Sequence, residues 1–161
     1  MSYTNADGLY ILTDRDQGTI GGEGATTRAS RQSIVIDIVG TAVPLTFGAA
    51  QIDPLAPQIP AGSVILSATL VVTTAFTSGG AAALNIGTYL ANGTAVAATG
   101  IDAAVALTAI DAIGEVVRCD GTLITGTATV GTAPVYVGID YDTAAYTAGA
   151  ARLVIEYIKF S

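Results

Sequence analysis

Between Val64 and Thr74 the chain places Val64, Leu66, Ala68, Leu70 and Val72 on one side of an extended backbone, and Ile65, Ser67, Thr69, Val71 and Thr73 on the other. Successive side chains of a strand point to opposite faces, so this period-two pattern in a β-branched run predicts a strand with one buried face. Ile34, Ile36 and Ile38 repeat the pattern against Val35, Asp37 and Val39. Near the C-terminus, Leu153, Ile155 and Tyr157 alternate with Arg152, Val154, Glu156 and Ile158. Each such strand needs a paired neighbour and a second layer to cover its apolar face.

The intervening segments supply turns. Pro44 consigns the run from Val43 to Phe47 to an edge or a strand start, because proline has no N–H for a ladder. Ile52 to Pro60, with prolines at 54, 57 and 60, is a stiffened connection. Asn92-Gly93 between Leu84–Leu90 and Thr94–Ala98 predicts a tight hairpin through its tolerance of positive φ. The same residues with Thr94 match a glycosylation triplet, but no secretory signal accompanies them. From Asp102 to Ile113 the spacing of Ala103, Ala106, Leu107, Ile110 and Ile113 predicts one short helix, capped by Asp102 and ended by Gly114. Strands then resume over Glu115–Cys119, Leu123–Val130, Val135–Tyr141 and Arg152–Phe160. Eight or nine short strands with turn residues between them predict an all-β fold, a two-sheet, jelly-roll-like β-sandwich.

Residues 1–31 are different. They contain Arg15, Arg28 and Arg31 among the six basic residues of the chain, a glycine-rich run from Gly18 to Gly24, and only Leu9-Tyr10-Ile11-Leu12 as a brief strand or anchor. This stretch is expected to be an extended N-terminal arm preceding a sandwich domain over 32–161. With four acids the arm carries a net charge of −1, which leaves −6 of the total −7 on the body.

Charge and missing residue types exclude several functions. There is no His, so no Ser-His-Asp or Cys-His unit and no imidazole-ligated zinc is available. A pI near 4.1 argues against a nucleic-acid partner, which needs a basic face. Cys119 is alone and follows a β-branched run, as a buried apolar residue would. The mean hydropathy of +0.59 raises the question of a membrane span. No charge occurs from Pro54 to Ile101, yet Thr, Ser, Gly and Pro interrupt every window there, so no membrane partner is expected.

The remaining motifs are weak. Gly18–Gly24 lacks the Lys-Ser or Lys-Thr of a phosphate loop. Asp14 with Asp16, and Asp140 with Asp142, offer fewer oxygens than a calcium ion takes. Asp142-Thr143-Ala144 resembles the aspartic-protease tripeptide, which is cheap by chance in a chain rich in Thr and Ala. A glycosidase-like carboxylate pair cannot be read from spacing, and no Trp is present to stack a sugar. Neither an enzymatic activity nor a cofactor is therefore expected. The seven Tyr residues are candidates for interface anchors, with core positions as the alternative.

Residues 59–76, IPAGSVILSATLVVTTAF, followed by Leu84-Asn85-Ile86-Gly87-Thr88, resemble head-associated structural proteins of tailed bacteriophages. In that group a Pro-Ala-Gly turn leads into a long strand ending Thr-Ala-Phe and then a second strand ending Ile-Gly. The similarity spans roughly 59–118. It implies a β-sandwich decoration or cement protein, often trimeric, that binds the major capsid protein on the capsid exterior of the virion after assembly in the host cytoplasm. On that reading Tyr3, Tyr10, Ile11, Arg15, Arg28 and Arg31 are the candidate partner-binding residues. A receptor- or carbohydrate-binding fibre module on the same sandwich is the alternative.

Overall fold

A computed structural model describes residues 31–43, 58–125 and 128–159, together with the backbone of 2–4 and 10–12. The chain divides between Ser30 and Arg31. In the first unit β1 (Ser2–Thr4) and β2 (Tyr10–Leu12) pair antiparallel.

The second unit holds eight described strands: β3 (Arg31–Val39), β4 (Gln58–Ile59), β5 (Ser63–Ser78), β6 (Ala83–Tyr89), β7 (Ala95–Ala106), β8 (Val116–Arg118), β9 (Val135–Asp142) and β10 (Tyr146–Lys159). They form two antiparallel four-stranded sheets, ordered β3-β10-β5-β8 and β4-β9-β6-β7. First pairs with last, β3 with β10; then β4 with β9, β5 with β8, and β6 with β7. Successive pairs fall in alternate sheets, and β10·β5 and β9·β6 contacts complete them. A ribbon rolled in this way is a jelly roll, as its strand patterning predicts. One core fills the space between the sheets. Leu70, Val72 and Phe76 of β5, with Leu153 and Ile155 of β10, pack in a single cluster with Leu84 and Ile86 of β6 and Val137 and Ile139 of β9.

The Asn92-Gly93 hairpin forms between β6 and β7. The Gly93 N–H donates to the Leu90 carbonyl and the Leu90 N–H to Thr94, with Gly93 alone at a positive φ of 83°. This is the expected tight hairpin, a three-residue loop over 91–93 with one left-handed residue.

Three expectations are corrected. The helix over Asp102–Ile113 is absent: β7 continues to Ala106, and only Leu107–Ala109 makes a 3-10 turn. Alanine satisfies either period, so pairing with β6 decides the conformation. A bulge absorbs the mismatch, with Ala104 at φ 53° and its N–H donating to Asn85 Oδ1 at 2.8 Å. Within 123–130 the described residues form a turn and loop; Leu123 and Val130 bury their side chains there, their N–H groups bonding Gly100 and Ser63. Finally, the faces of β5 exchange. Its register with β10 shifts between Ile65 and Ser67, so Ile65 joins Ala68, Leu70 and Val72 in the core while Val64 and Leu66 stay half-buried. The Val43–Phe47 run beyond Val43, the connection before Gln58, and the Gly18–Gly24 run lie outside the described residues.

Candidate interaction surface

The expected partner-binding residues fall mostly in the first unit. Tyr3 stands opposite Ile11 in the β1·β2 register, and Tyr10 opposite Thr4; their side chains, and the whole of Arg15 and Arg28, lie outside the described residues. Arg31 is the first residue of β3, so it belongs to the sandwich in place of the expected arm. Its guanidinium sits 3.7 Å from Glu156 Oε2, which also accepts a 3.0 Å hydrogen bond from Ser67 Oγ.

That contact is part of an outer sheet surface made by alternate residues of β3, β10, β5 and β8. Across one row lie Val35, Val154, Thr69 and Arg118; across the next, Asp37, Arg152, Val71 and Val116. Arg152 Nε donates to Asp37 Oδ1 at 2.8 Å, and the guanidinium holds that carboxyl below its ordinary range. Apolar side chains surround these pairs: Val35 is 51 % exposed, Val39 50 %, Val116 59 % and Ile113, just before β8, 74 %. Of the five charges on this face, four are paired, Arg118 being the exception among the described residues; paired charges on a β-branched face lose less hydration on contact than free ones.

The tyrosines of the body do not serve this surface. Tyr89, Tyr136, Tyr146 and Tyr157 are buried and Tyr141 half-buried. Phe76, Tyr146 and Tyr141 stack edge to face, with centroid separations of 5.2 and 6.4 Å. Burial, and secondarily Asp142, pushes the Tyr146 phenol up to about 12. Tyr157 donates to Gln32 Oε1 at 2.7 Å at the edge of the sandwich. Their ring area goes into the core, which the alternative reading of the sequence anticipated.

A groove of about 330 Å³ lies between β5 and the end of β8, lined by Ser67, Thr69, Arg118 and Cys119 among others. Cys119 is 5 % exposed. Burial first, then the carboxylates of Asp102 and Asp120, push its thiol up to about 12, leaving it protonated at neutral pH. Its partner Asp102, also buried, has its own carboxyl shifted upward by desolvation. The spacing of motifs gave no signal of this pair, because seventeen residues and a strand change separate its members. Asp142-Thr143-Ala144 forms the β9–β10 turn, where Thr143 takes φ 71° and the Ala144 N–H bonds the Asp142 carbonyl. No group of three or more acidic or sulfur ligands able to hold a metal occurs among the described residues, and no helix there is long and apolar enough to cross a membrane.

No protein-family model matches the chain, and no curated protein matches it in sequence. Solved structures do match in fold. A chain of the capsid of Helicobacter pylori bacteriophage KHP30 superposes with a TM-score of 0.53 at 12 % identity, covering 83 % of this chain and 95 % of the other. One from the capsid of Ralstonia phage GP4 gives 0.50 at 17 % identity, covering 82 % and 86 %. A chain of the capsid asymmetric unit of cyanophage Pam1 gives 0.50 at 22 % identity and covers 99 % of this chain and 100 % of its own. The fold described above is thus one that chains of several phage capsids share.

Proposed function

We propose that this chain is a non-enzymatic structural protein of a phage virion, a decoration or cement protein that sits on the capsid exterior and stabilises the shell of the major capsid protein. The observation that carries the reading is the end-to-end similarity in fold to a chain of the Pam1 capsid asymmetric unit. Two features of this chain support it. The outer face of the β3-β10-β5-β8 sheet combines exposed valines with paired charges, a composition suited to packing. The first thirty residues, with Arg15 and Arg28, form a separate unit that can extend contact to a neighbour. In this reading the copies assemble as trimers in the host cytoplasm, and the net charge of −7 keeps the protein away from packaged DNA.

The test is to add the full chain to shells assembled from the major capsid protein of the same virus. Saturable co-sedimentation and a raised shell melting temperature are expected, with density for the chain on the outer surface. Shells that neither bind the chain nor gain stability, or density for it in the shell lumen, overturn the proposal.

A further inference from the structure

An edge strand presents unpaired N–H and C=O groups to any strand that can reach it. Among the described residues, the two sheets treat their four edges differently. β8 and β4 span only three and two residues. β7 is twelve residues long, but bulges break its register with β6, and the N–H groups of Gly121 and Leu123 already bond the Ile101 and Gly100 carbonyls. β3 shows none of these devices. Its nine residues pair with β10 one for one without a bulge, and no described strand lies on its other side.

The side chains of β3 limit what can pair there. Its outer face carries Arg31, Ser33, Val35, Asp37 and Val39, with one cation and one anion six residues apart. Ile34 and Ile36, on the inner face, are only half-buried. If a second copy of β3 lies antiparallel, one register brings each Arg31 opposite the Asp37 of the other copy. That register is centred on Ile34, which meets its own counterpart. Each Arg31 already approaches Glu156 and each Asp37 already binds Arg152. The seam would therefore read Glu156, Arg31, second-copy Asp37, second-copy Arg152, alternating in sign. Centring on Val35 instead sets Asp37 against Ser33, and centring on Asp37 sets two carboxylates face to face, a destabilising pair.

We infer that the β3 edge is a self-association surface, on which two copies pair β3 to β3 in the register centred on Ile34 and join their sheets into one. This inference does not depend on the capsid reading. The contact is isologous, so it joins copies two at a time; within an assembly of trimers it would link one trimer to the next. A single strand pair buries less than the ~1,200 Å² of a stable specific interface. The pairing is therefore weak in dilute solution and strengthens where copies are held close together.

Three full-length variants, Ile34→Cys, Val35→Cys and Ile36→Cys, report the register by disulfide cross-linking under mild oxidation, read as covalent dimer on a denaturing gel. Cys119 is buried and contributes little background. Dimer should accumulate about tenfold faster for Ile34→Cys than for the other two, and adding Asp37→Arg should slow it about tenfold. Equal rates at the three positions, dominance of 35 or 36, or no dimer overturns the inference. Should Ile34→Cys fail to fold, sedimentation of the unmodified chain serves: its mass should rise with concentration, and Asp37→Arg should abolish the rise. An unchanged rise in the variant also overturns it.

Discussion

Gly149 in β10 gives the most direct test of how β10 packs on the neighbouring strand β5. Its φ of 130° is one that side-chain-bearing residues rarely adopt, and a Cβ built there would stand 2.5 Å from Phe76 Cδ1 and 2.8 Å from Phe76 Cα. Replacing Gly149 by Ala therefore adds two costs. Positive-φ backbone costs ~1–2 kcal/mol for a residue with a Cβ, and forcing a methyl into a packed site costs ~1–3 kcal/mol. The sum, ~2–5 kcal/mol, is a large share of the ~5–15 kcal/mol that keeps a domain folded. Phe76→Ala alone should cost ~3–5 kcal/mol, because the ring is buried against Tyr146. In the double variant the ring is gone but the backbone cost and the approach to Phe76 Cα remain. The two losses should then fall short of additivity by ~1–3 kcal/mol, the part due to the ring. Urea unfolding followed by tyrosine fluorescence, the chain having no Trp, and by far-UV circular dichroism measures all four proteins. Additivity within ~0.5 kcal/mol would show that the ring is not what the missing Cβ makes room for.

Three further outcomes follow from the same structure. With its pKa raised from 9.0 to about 12, the Cys119 thiol should react about a thousandfold more slowly with a disulfide reagent at pH 8 than after unfolding in urea; a fast reaction in the folded protein contradicts the burial. Asp102 binds its proton more tightly folded than unfolded, because desolvation raises its pKa above 3.8. Stability from this group therefore falls as pH rises from about 4 through the folded pKa, and Asp102→Asn should raise the melting temperature at pH 7 and flatten that slope; a less stable variant at pH 7 refutes the sign. Removing residues 1–30 should leave the unfolding of the second unit unchanged, since the division falls before β3, while lowering occupancy on capsid shells; full occupancy by the truncated chain would remove the first unit from the proposed contact.

From Ala150 to Ile158 the alternation in β10 was legible because its register against β3 is unbroken there; the start of the strand, Tyr146 to Ala150, where the register with β5 shifts, was not. In β5 the same arithmetic assigns Leu66 to the core and Ile65 outside, the reverse of what forms. The bulge that exchanges them arises from pairing with β10, and nothing in the local sequence of β5 marks it. Asp102 to Ile113 fails for a related reason. Its alanines fit helix and strand alike, and the deciding interactions, the β6 ladder and Asn85 under the Ala104 N–H, come from sixteen or more residues upstream. The outer rows of the surface were hidden in the same way, since Val35, Val154 and Thr69 become neighbours only once the roll is closed.

What the chain does with its few charges ties these observations together. Of the six basic residues, Arg31 and Arg152 stand on the β3 and β10 rows, and each meets a carboxylate there, Glu156 and Asp37. The other acids of the described body are the buried Asp102, Asp111 and Glu115 before β8, Asp120 after it, and Asp140 and Asp142 at the end of β9. A strongly acidic protein has thus kept one sheet face close to local neutrality. Exposed pairs of this kind contribute little to folding, with a median of ~0–1 kcal/mol, so stability does not explain the placement. In the self-association inferred above they would let two like-charged molecules approach through this face and this edge without bringing uncompensated carboxylates together. If the proposed contacts form, the paired charges on this face are what let an acidic protein make them.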